Sequence, residues 1–220
     1  MRRLVVLRPE PGASETVKRA KERGLDALAL PLFEIEPIAW EGPEESGFDA
    51  LLLTSANAVR FGGERLMNYR GLPVHTVGEA TAEAARNAGF DIASAGDAGV
   101  DRLLASIEPD QRLLHLSGED VRPPADPKQR IDRIAVYRSK ANENLDLEPL
   151  EGAVVLIHSP RAASRLAELV DDRAGIAVAA ISAAAAEAAG DGWERVDFAE
   201  APRDEALLAL AARLCNSSAP

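Results

Sequence analysis

Cysteine is nearly absent. Among 220 residues only Cys215 occurs, with no motif around it, so no intrachain disulfide can form and the thiol reads as a structural one near the C-terminus. Aromatic residues make up 4%, no Lys/Arg run exceeds two residues, and 25 Lys and Arg against 36 Asp and Glu leave a formal charge of −11. Such a chain repels a phosphate backbone, which excludes nucleic acid as an expected partner. Long apolar runs are missing, and Met1-Arg2-Arg3 is followed by only four apolar residues before Arg8. No signal peptide or membrane span is expected, and the protein is expected in the cytoplasm. Neither a G-x-x-x-x-G-K-[ST] loop nor a strand-anchored G-x-G-x-x-G is present, which disfavours ATP, GTP and NAD(P). The three histidines, His75, His115 and His158, sit in separate apolar runs and never at metal-ligand spacing. They read as strand histidines, and no metal is expected. Nothing in the sequence demands more than a monomer.

What the chain does have is the composition of a folded protein, 46% hydrophobic and 28% charged, at a length that suits one large domain or two small ones. Short β-branched or leucine-rich runs alternate with Ala/Glu/Arg/Leu stretches of helical period, the pattern of βα units that build a parallel sheet. Strands are predicted at 3–7, 27–32, 50–53, 74–77, 92–94, 113–116, 154–157, 177–181 and 195–198. That number exceeds one small sheet. Helices follow most of them, for example 14–23 and 81–88, with Gly24 and Gly89 just past their ends. The fold class is α/β.

The chain also repeats itself. LLLTSANAV (51–59) resembles VVLIHSPRA (154–162), with Ser55 and Ser159 lying 104 apart. VGEATAEAARNAGF (77–90) aligns with ISAAAAEAAGDGW (181–193) at the same offset, with one residue dropped before Phe90 and Trp193. Asp101 then falls on Asp204, 103 residues on, each opening an amphipathic helix. Collinear blocks at a nearly constant offset indicate two similar halves. The first strand, RRLVVLRP (2–9), finds its counterpart in QRLLHLSG (111–118), after the third block rather than before the first. The halves are therefore circularly related, and the N-terminal βα units belong with the C-terminal half. This assigns 1–34 and 139–220 to a discontinuous first domain, 42–130 to an inserted second domain, and 35–41 with 131–138 to a connecting two-stranded hinge. The connecting segments alternate polar and apolar residues like half-exposed strands and are expected to pair antiparallel.

In an open parallel sheet, ligands bind beyond the carboxyl ends of the strands, where helix N-termini present unpaired N–H groups. Here those ends are 8–12, 54–57, 78–81, 117–119, 158–161 and 182–184, rich in Ser, Thr and Gly, and such loops suit carboxylates or phosphates. Ser55, Thr81 and Ser159 serve equally well as helix N-caps, their commonest use. Their recurrence at matched positions in both halves, facing one cleft, favours binding. Tyr137 ends the return crossing, where its phenol can donate a proton to a leaving group or simply pack on the hinge. Glu10, Glu79 and Glu119 would repel an anion and read as solvated. Spacing alone assigns no Ser-His-Asp set and no carboxylate pair. The residues by themselves lead to a two-lobed α/β protein that binds a small anionic ligand.

Taken together, the motifs resemble the uroporphyrinogen-III synthase family over nearly the whole chain. They are L-R-P (7–9), P-L-F-E-I-E-P (31–37), L-T-S-A-N-A-V (53–59), V-G-E-A-T-A (77–82), a Ser-Gly-Glu loop with a later Arg (117–122), V-Y-R-S (136–139) and H-S-P-R-A (158–162). The resemblance implies two parallel-sheet α/β domains joined by a two-stranded ladder, the first discontinuous. It also implies cofactor-free lyase chemistry in tetrapyrrole and heme biosynthesis, in which hydroxymethylbilane loses water and closes with inversion of ring D. Tyr137 falls on the family tyrosine proposed to assist departure of the hydroxyl, and Ser55, Thr81 and Ser159 fall on positions that line the cleft. Arg8, Asn57, Gly78, Ser117, Gly118, Arg161 and Ser182 complete the implied substrate-binding set, with Arg122 and Arg138 as further guanidiniums for the eight acetate and propionate groups. The family's I-G-x-x-T-A reads I-S-A-A-A-A here (181–186), so Ser182 replaces the glycine and Ala185 the threonine. Ser117 likewise stands where an R-G-E type loop carries arginine. The alternative is a non-catalytic two-lobed binding protein for a polycarboxylate or tetrapyrrole-like ligand, which shares the architecture but forms no product.

Overall fold

The computed structural model describes residues 1–216, so the last four positions of the expected 139–220 segment lie outside the described residues. Along the chain run β1 (Leu4–Val6), α1 (Gly12–Glu22), β2 (Ala27–Ala29), β3 (Phe33–Pro37), β4 (Ala50–Leu53), α2 (Ala56–Phe61), β5 (Val74–Val77), α3 (Glu79–Asn87) and β6 (Ile92–Gly96). There follow α4 (Val100–Leu104), β7 (Arg112–Gly118), β8 (Arg130–Ala141), β9 (Val154–Ile157), α5 (Pro160–Leu169), β10 (Ala177–Ala180), α6 (Ala183–Ala189), β11 (Arg195–Phe198) and α7 (Asp204–Asn216). Each predicted strand has a counterpart, most of them trimmed or extended at the ends, and the two connecting segments supply β3 and β8. Contacts divide the chain into two compact units, Met1–Glu34 with Ala141–Pro220, and Ile35–Lys140.

The first unit is built on a five-stranded sheet in the order β11-β10-β9-β1-β2, with every pair parallel. Its central strands are covered on both faces, which is why they read as unbroken apolar runs rather than alternating ones. Leu4, Val6, Val154 and Leu156 pack under α1 and α7, while Val5, Leu7, Val155 and Ile157 pack under α5 and α6. Arg2 closes the amino end of the sheet, donating to the carbonyls of Gly152, Ala153 and Gly175 and pairing with Glu194 at 2.8 Å. Cys215 is buried on α7, and that burial pushes its thiol pKa up, in keeping with a structural thiol.

The second unit carries a six-stranded sheet in the order β3-β8-β7-β4-β5-β6. Read from the other edge, it repeats the first: β6, β5, β4, β7 and β8 take the places of β11, β10, β9, β1 and β2. Register makes the match residue by residue. Val154 pairs with Leu4 and Leu4 with Ala27, just as Ala50 pairs with Leu113 and Leu113 with Ile131. The circular relation expected from the repeats is thus the order of strands in the two sheets. β8 joins β7 in parallel on one side and lies beside β3 on the other, where the Ile38 N–H donates to the Val136 carbonyl. The connecting ladder is therefore also the edge of a sheet, which relieves the marginal stability of an isolated two-stranded ribbon.

β3 has no counterpart in the first sheet, and α1 has none in the second unit. α1 follows β1, but after β7 the segment 119–129 contains no helix, because Pro123 and Pro124 remove backbone donors and clash with a helical path. Gln129 fastens this segment instead, its Nε2 donating to the carbonyls of Leu104, Ile107 and Glu108 just past α4.

Candidate active site

In each sheet the chain leaves two adjacent central strands in opposite directions, and in the first unit the covering helices α5 and α1 lie on opposite faces. These are the topological switch points where an open parallel sheet presents a crevice at its carboxyl ends. In the second unit the pair is β4 and β7, and in the first it is β9 and β1. Thr54, Ser55 and the 117–119 loop flank the former, and His158, Ser159 and Arg8 flank the latter.

Three of the sequence-predicted hydroxyls are helix caps. Ser55 accepts from the Asn57 N–H at 3.2 Å, Ser159 from the Ala162 N–H at 3.2 Å, and Ser182 from the Ala185 N–H at 3.3 Å. Thr81 is not a cap. Gly78 occupies that place in a left-handed conformation (φ 84°), and Thr81 sits one turn in, 5% exposed. Its counterpart Ala185 is fully buried and packs its methyl into the core of the first unit. In the first unit the cap is thus a serine side chain where the second has the Gly78 backbone, and a core methyl stands where the second has the Thr81 hydroxyl. Asn57 is half-buried, and its Oδ1 accepts from Arg60 at 3.3 Å.

Ser117 points its hydroxyl inward. It is fully buried, donates to the Gly118 carbonyl at 3.0 Å and accepts from Nε of Arg133 at 2.9 Å, so its hydroxyl braces the loop and is not presented to a ligand. Arg133, which spacing did not single out, also donates to the carbonyls of Gly118 and Glu119. This grip coincides with a register shift between Ser117 and Gly118 that sets Gly118 opposite Tyr137. The missing side chain of Gly118 is what admits the phenol: a Cβ there would lie 2.8 Å from Cε2 and Cζ of Tyr137 and 3.0 Å from its hydroxyl. Phe61 lies against the same ring at 6.4 Å between centroids. Tyr137 is half-buried within β8, beside the carboxyl end of β7, whereas the other tyrosine, Tyr69, is buried and donates to the Pro43 carbonyl at 2.7 Å.

Behind this loop lies His115, 1% exposed, with Nε2 3.0 Å from the Thr54 hydroxyl. Burial, reinforced by the Arg133 charge, pushes its pKa down to about 4, so the ring is neutral at pH 7.

The first unit holds an ionic cluster instead. Asp204, at the start of α7, lies 2.8 Å from Nε2 of His158, 2.6 Å from Arg19 and 3.6 Å from Arg8, and accepts from the Thr16 hydroxyl at 3.2 Å. Burial alone would raise the Asp204 pKa, but the His158 hydrogen bond and the charges of His158, Arg19 and Arg8 hold it below the ordinary value. Burial pushes the His158 pKa down, against the opposing pull of Asp204, and its Nδ1 is buried with no hydrogen-bond partner among the described residues. Sequence spacing could not find this cluster, because its members come from four separate segments.

The remaining expected arginines are dispersed. Arg161 stacks over Phe33 at 4.6 Å, Arg138 pairs with Glu36 at 3.2 Å, and Arg122 is exposed in the 119–129 segment. Glu10, Glu79 and Glu119 are exposed. Among the described residues no helix is long and apolar enough to cross a membrane.

Comparison with known proteins adds the family. The uroporphyrinogen-III synthase HemD family model matches residues 14–209. The chain is 29% identical over 119 residues to a uroporphyrinogen-III synthase of Chlorobaculum parvum, covering 50% of this chain and 48% of that protein. The match thus spans about half the length of that curated relative. In fold, the chain is similar to the uroporphyrinogen-III synthetase of Helicobacter pylori 26695, with a TM-score of 0.68 at 19% identity over 97% of this chain and 100% of that one. It is also similar to a mutant uroporphyrinogen III synthase of the extreme thermophile Thermus thermophilus, with a TM-score of 0.51 at 18% identity over 96% and 98%. The family match covers both units, from within α1 to within α7, and the chain belongs to the uroporphyrinogen-III synthase family.

Proposed function

We propose that this chain is a uroporphyrinogen-III synthase, closing hydroxymethylbilane to the cyclic tetrapyrrole with loss of water. The observation that carries the reading is the extent of the family match, which runs through β4, β7, β8 and β9 and so includes Tyr137 and Ser55, Thr81 and Ser159. In the proposed reaction the hydroxymethyl C–O bond breaks, the departing hydroxyl takes a proton from the Tyr137 phenol and leaves as water, and the electrons of the pyrrole stabilise the azafulvenium cation that results. Attack by the substituted carbon of ring D gives a spiro intermediate. Cleavage and reclosure then invert the ring, and loss of a proton restores its aromaticity. The pyrrole nitrogen supplies most of the driving force for hydroxyl loss, so the protein acts chiefly by holding the reacting carbons together. Backbone N–H groups at the strand ends, the Thr81 hydroxyl and Arg8 are the proposed donors to the substrate carboxylates, which reconciles an acidic chain with a polyanionic substrate through local donors rather than net charge.

The test is to supply freshly generated hydroxymethylbilane, oxidise the products and separate uroporphyrin isomers I and III, since unassisted closure gives isomer I. Protein-dependent, predominant isomer III is the expected result. Isomer I alone from folded protein overturns the reading in favour of a binding protein of the same fold. Within an active enzyme, Tyr137→Phe is expected to lower kcat roughly tenfold, less than a general acid usually contributes because the pyrrole itself expels the hydroxyl. An unchanged kcat would remove that role from Tyr137.

A further inference from the structure

The Asp204 cluster lies at the switch point of the first unit, joins α1, α7, β1 and β9, and apart from Arg8 has no part in the reaction as derived so far. Two guanidiniums share its one carboxylate, so with His158 neutral the cluster carries a net charge of about +1 in a chain of formal charge −11. The two arginines are not held alike. Arg19 meets Asp204 at 2.6 Å, whereas Arg8 stands at 3.6 Å, an ion-pair distance too long for a hydrogen bond. The fork of N–H donors on Arg8 is therefore oriented by the carboxylate without being spent on it, and a third of its side chain is exposed.

Gly12 leaves the space that the same guanidinium occupies. A Cβ at Gly12, the first residue of α1, would lie 2.5 Å from Nε, 2.7 Å from Cζ and 2.8 Å from one terminal nitrogen of Arg8. The guanidinium thus lies against bare backbone at Gly12, with Asp204 beside it, and Asp204 is itself pinned by His158, Arg19 and Thr16. Planar guanidinium pairs with carboxylate most strongly when both N–H bonds align, so orientation in advance is worth as much as charge.

We propose that Asp204 and Gly12 are positioning residues that hold Arg8 as a preformed receptor for one carboxylate of the polycarboxylate ligand. The proposal rests on the reading of the chain as a uroporphyrinogen-III synthase for the identity of that ligand. Neither residue touches the ligand. Both act through Arg8.

The test uses the full chain and two readouts, so that the clamp and the activity are judged separately. Fluorescence titration with uroporphyrin III, an octacarboxylate, measures binding whether or not turnover occurs. Steady-state formation of isomer III measures kcat and KM. Asp204→Asn and Gly12→Ala are each expected to weaken uroporphyrin III binding and to raise KM by roughly tenfold, the loss of about one charge-assisted hydrogen bond, with kcat within threefold of wild type. Gly12→Ala is the decisive variant, because the atoms it displaces belong to the far end of a flexible side chain and alanine is the better helix former. Its thermal unfolding midpoint is expected to stay at or above that of wild type while affinity falls. In a double variant, Arg8→Ala with Asp204→Asn is expected to bind no more weakly than Arg8→Ala alone. Unchanged affinity in folded Gly12→Ala, or additive losses in the double variant, would overturn the proposal. If wild type forms no isomer III yet the titrations behave as expected, the clamp stands and the synthase reading falls.

Discussion

Set in register, the switch points of the two units share a backbone and few of their polar side chains. Ser55 and Ser159 match as caps. Around them Thr54 faces His158, Gly78 faces Ser182 and Thr81 faces Ala185 in the repeat, and continuing the register of Leu113 with Leu4 sets Ser117 against Arg8. Each crevice is bordered by a guanidinium near the end of a strand, but from non-equivalent strands. In the first unit it is Arg8 past β1, paired with Asp204, and in the second it is Arg133 on β8, bound to the carbonyls of the 117–119 loop. The lesson is a division of labour. Hydrophobic cores on both faces dictate where the strand ends fall, and the residues at those ends differ between the units while the frame is kept, so Arg8 stands beside a carboxylate and Arg133 braces backbone.

The largest expected break in this comparison comes at the brace. Gly118→Val puts branched carbon where the Tyr137 ring now lies, and the equivalent place in the first unit is filled by Pro9. Overpacking is expected to cost about 1 to 3 kcal/mol of stability. Displacing the phenol by about an ångström is expected to reduce kcat by up to roughly tenfold, the loss expected of Tyr137→Phe. Rates of isomer III formation alongside thermal melts check both. A kcat within twofold of wild type would show that the seat on Gly118 does not matter to the chemistry.

The frame was legible in the sequence, and the polar contacts at its ends were not. Apolar runs such as Leu51-Leu52-Leu53 and Val154-Val155-Leu156 declare strands buried on both faces, and the shared offset of Ser55 and Ser159 declares the repeat and its circular order. Helix ends were legible where chain chemistry decides them, as at Gly24 and Gly89, which follow α1 and α3 in the left-handed region. Helix starts were less so, because α3 begins at Glu79 behind a glycine cap that offers no side-chain signal. The partner of Ser117 was hidden for a related reason: a serine at a strand end has no feature in the sequence that tells a free hydroxyl from one enclosed by Arg133, sixteen residues away. Asp204 was visible only as a helix opener, since its partners Arg8, Arg19 and His158 are distant along the chain.

Acid should separate the units next. His115 in the second unit has a pKa of about 4 against an ordinary 6.5. Between those values the folded chain binds fewer protons at this site than the unfolded chain. The stability that the neutral ring confers is therefore complete above about pH 6.5 and is lost as the pH falls toward 4. From pH 7 to pH 5 the loss from this residue is expected to be about 2 kcal/mol. In the first unit His158 is also shifted down, but the Asp204 hydrogen bond opposes the shift, so less acid sensitivity is expected from it. Urea unfolding at the two pH values, compared between wild type and His115→Leu, isolates the term. An equal loss on acidification in both proteins would mean that His115 is protonated in the folded state.

The smallest effects test whether the caps at Gly78 and Ser182 are interchangeable. The Gly78 backbone lies at φ 84° and ψ 140°, a region that side-chain-bearing residues occupy at a cost. Ser182 lies at φ −154° and ψ 163° and needs no such freedom. Exchange should therefore be asymmetric. Gly78→Ser is expected to lose about 1 to 2 kcal/mol, because the hydroxyl that would cap the helix arrives on a strained backbone. Ser182→Gly is expected to lose only a few tenths of a kcal/mol, since glycine also caps and the 3.3 Å bond to the Ala185 N–H is long. Paired denaturation curves measure both. If the two losses were equal, the left-handed turn at Gly78 would be no obstacle to a side chain, and the glycine there would be free to change in the same way as its counterpart in the first unit.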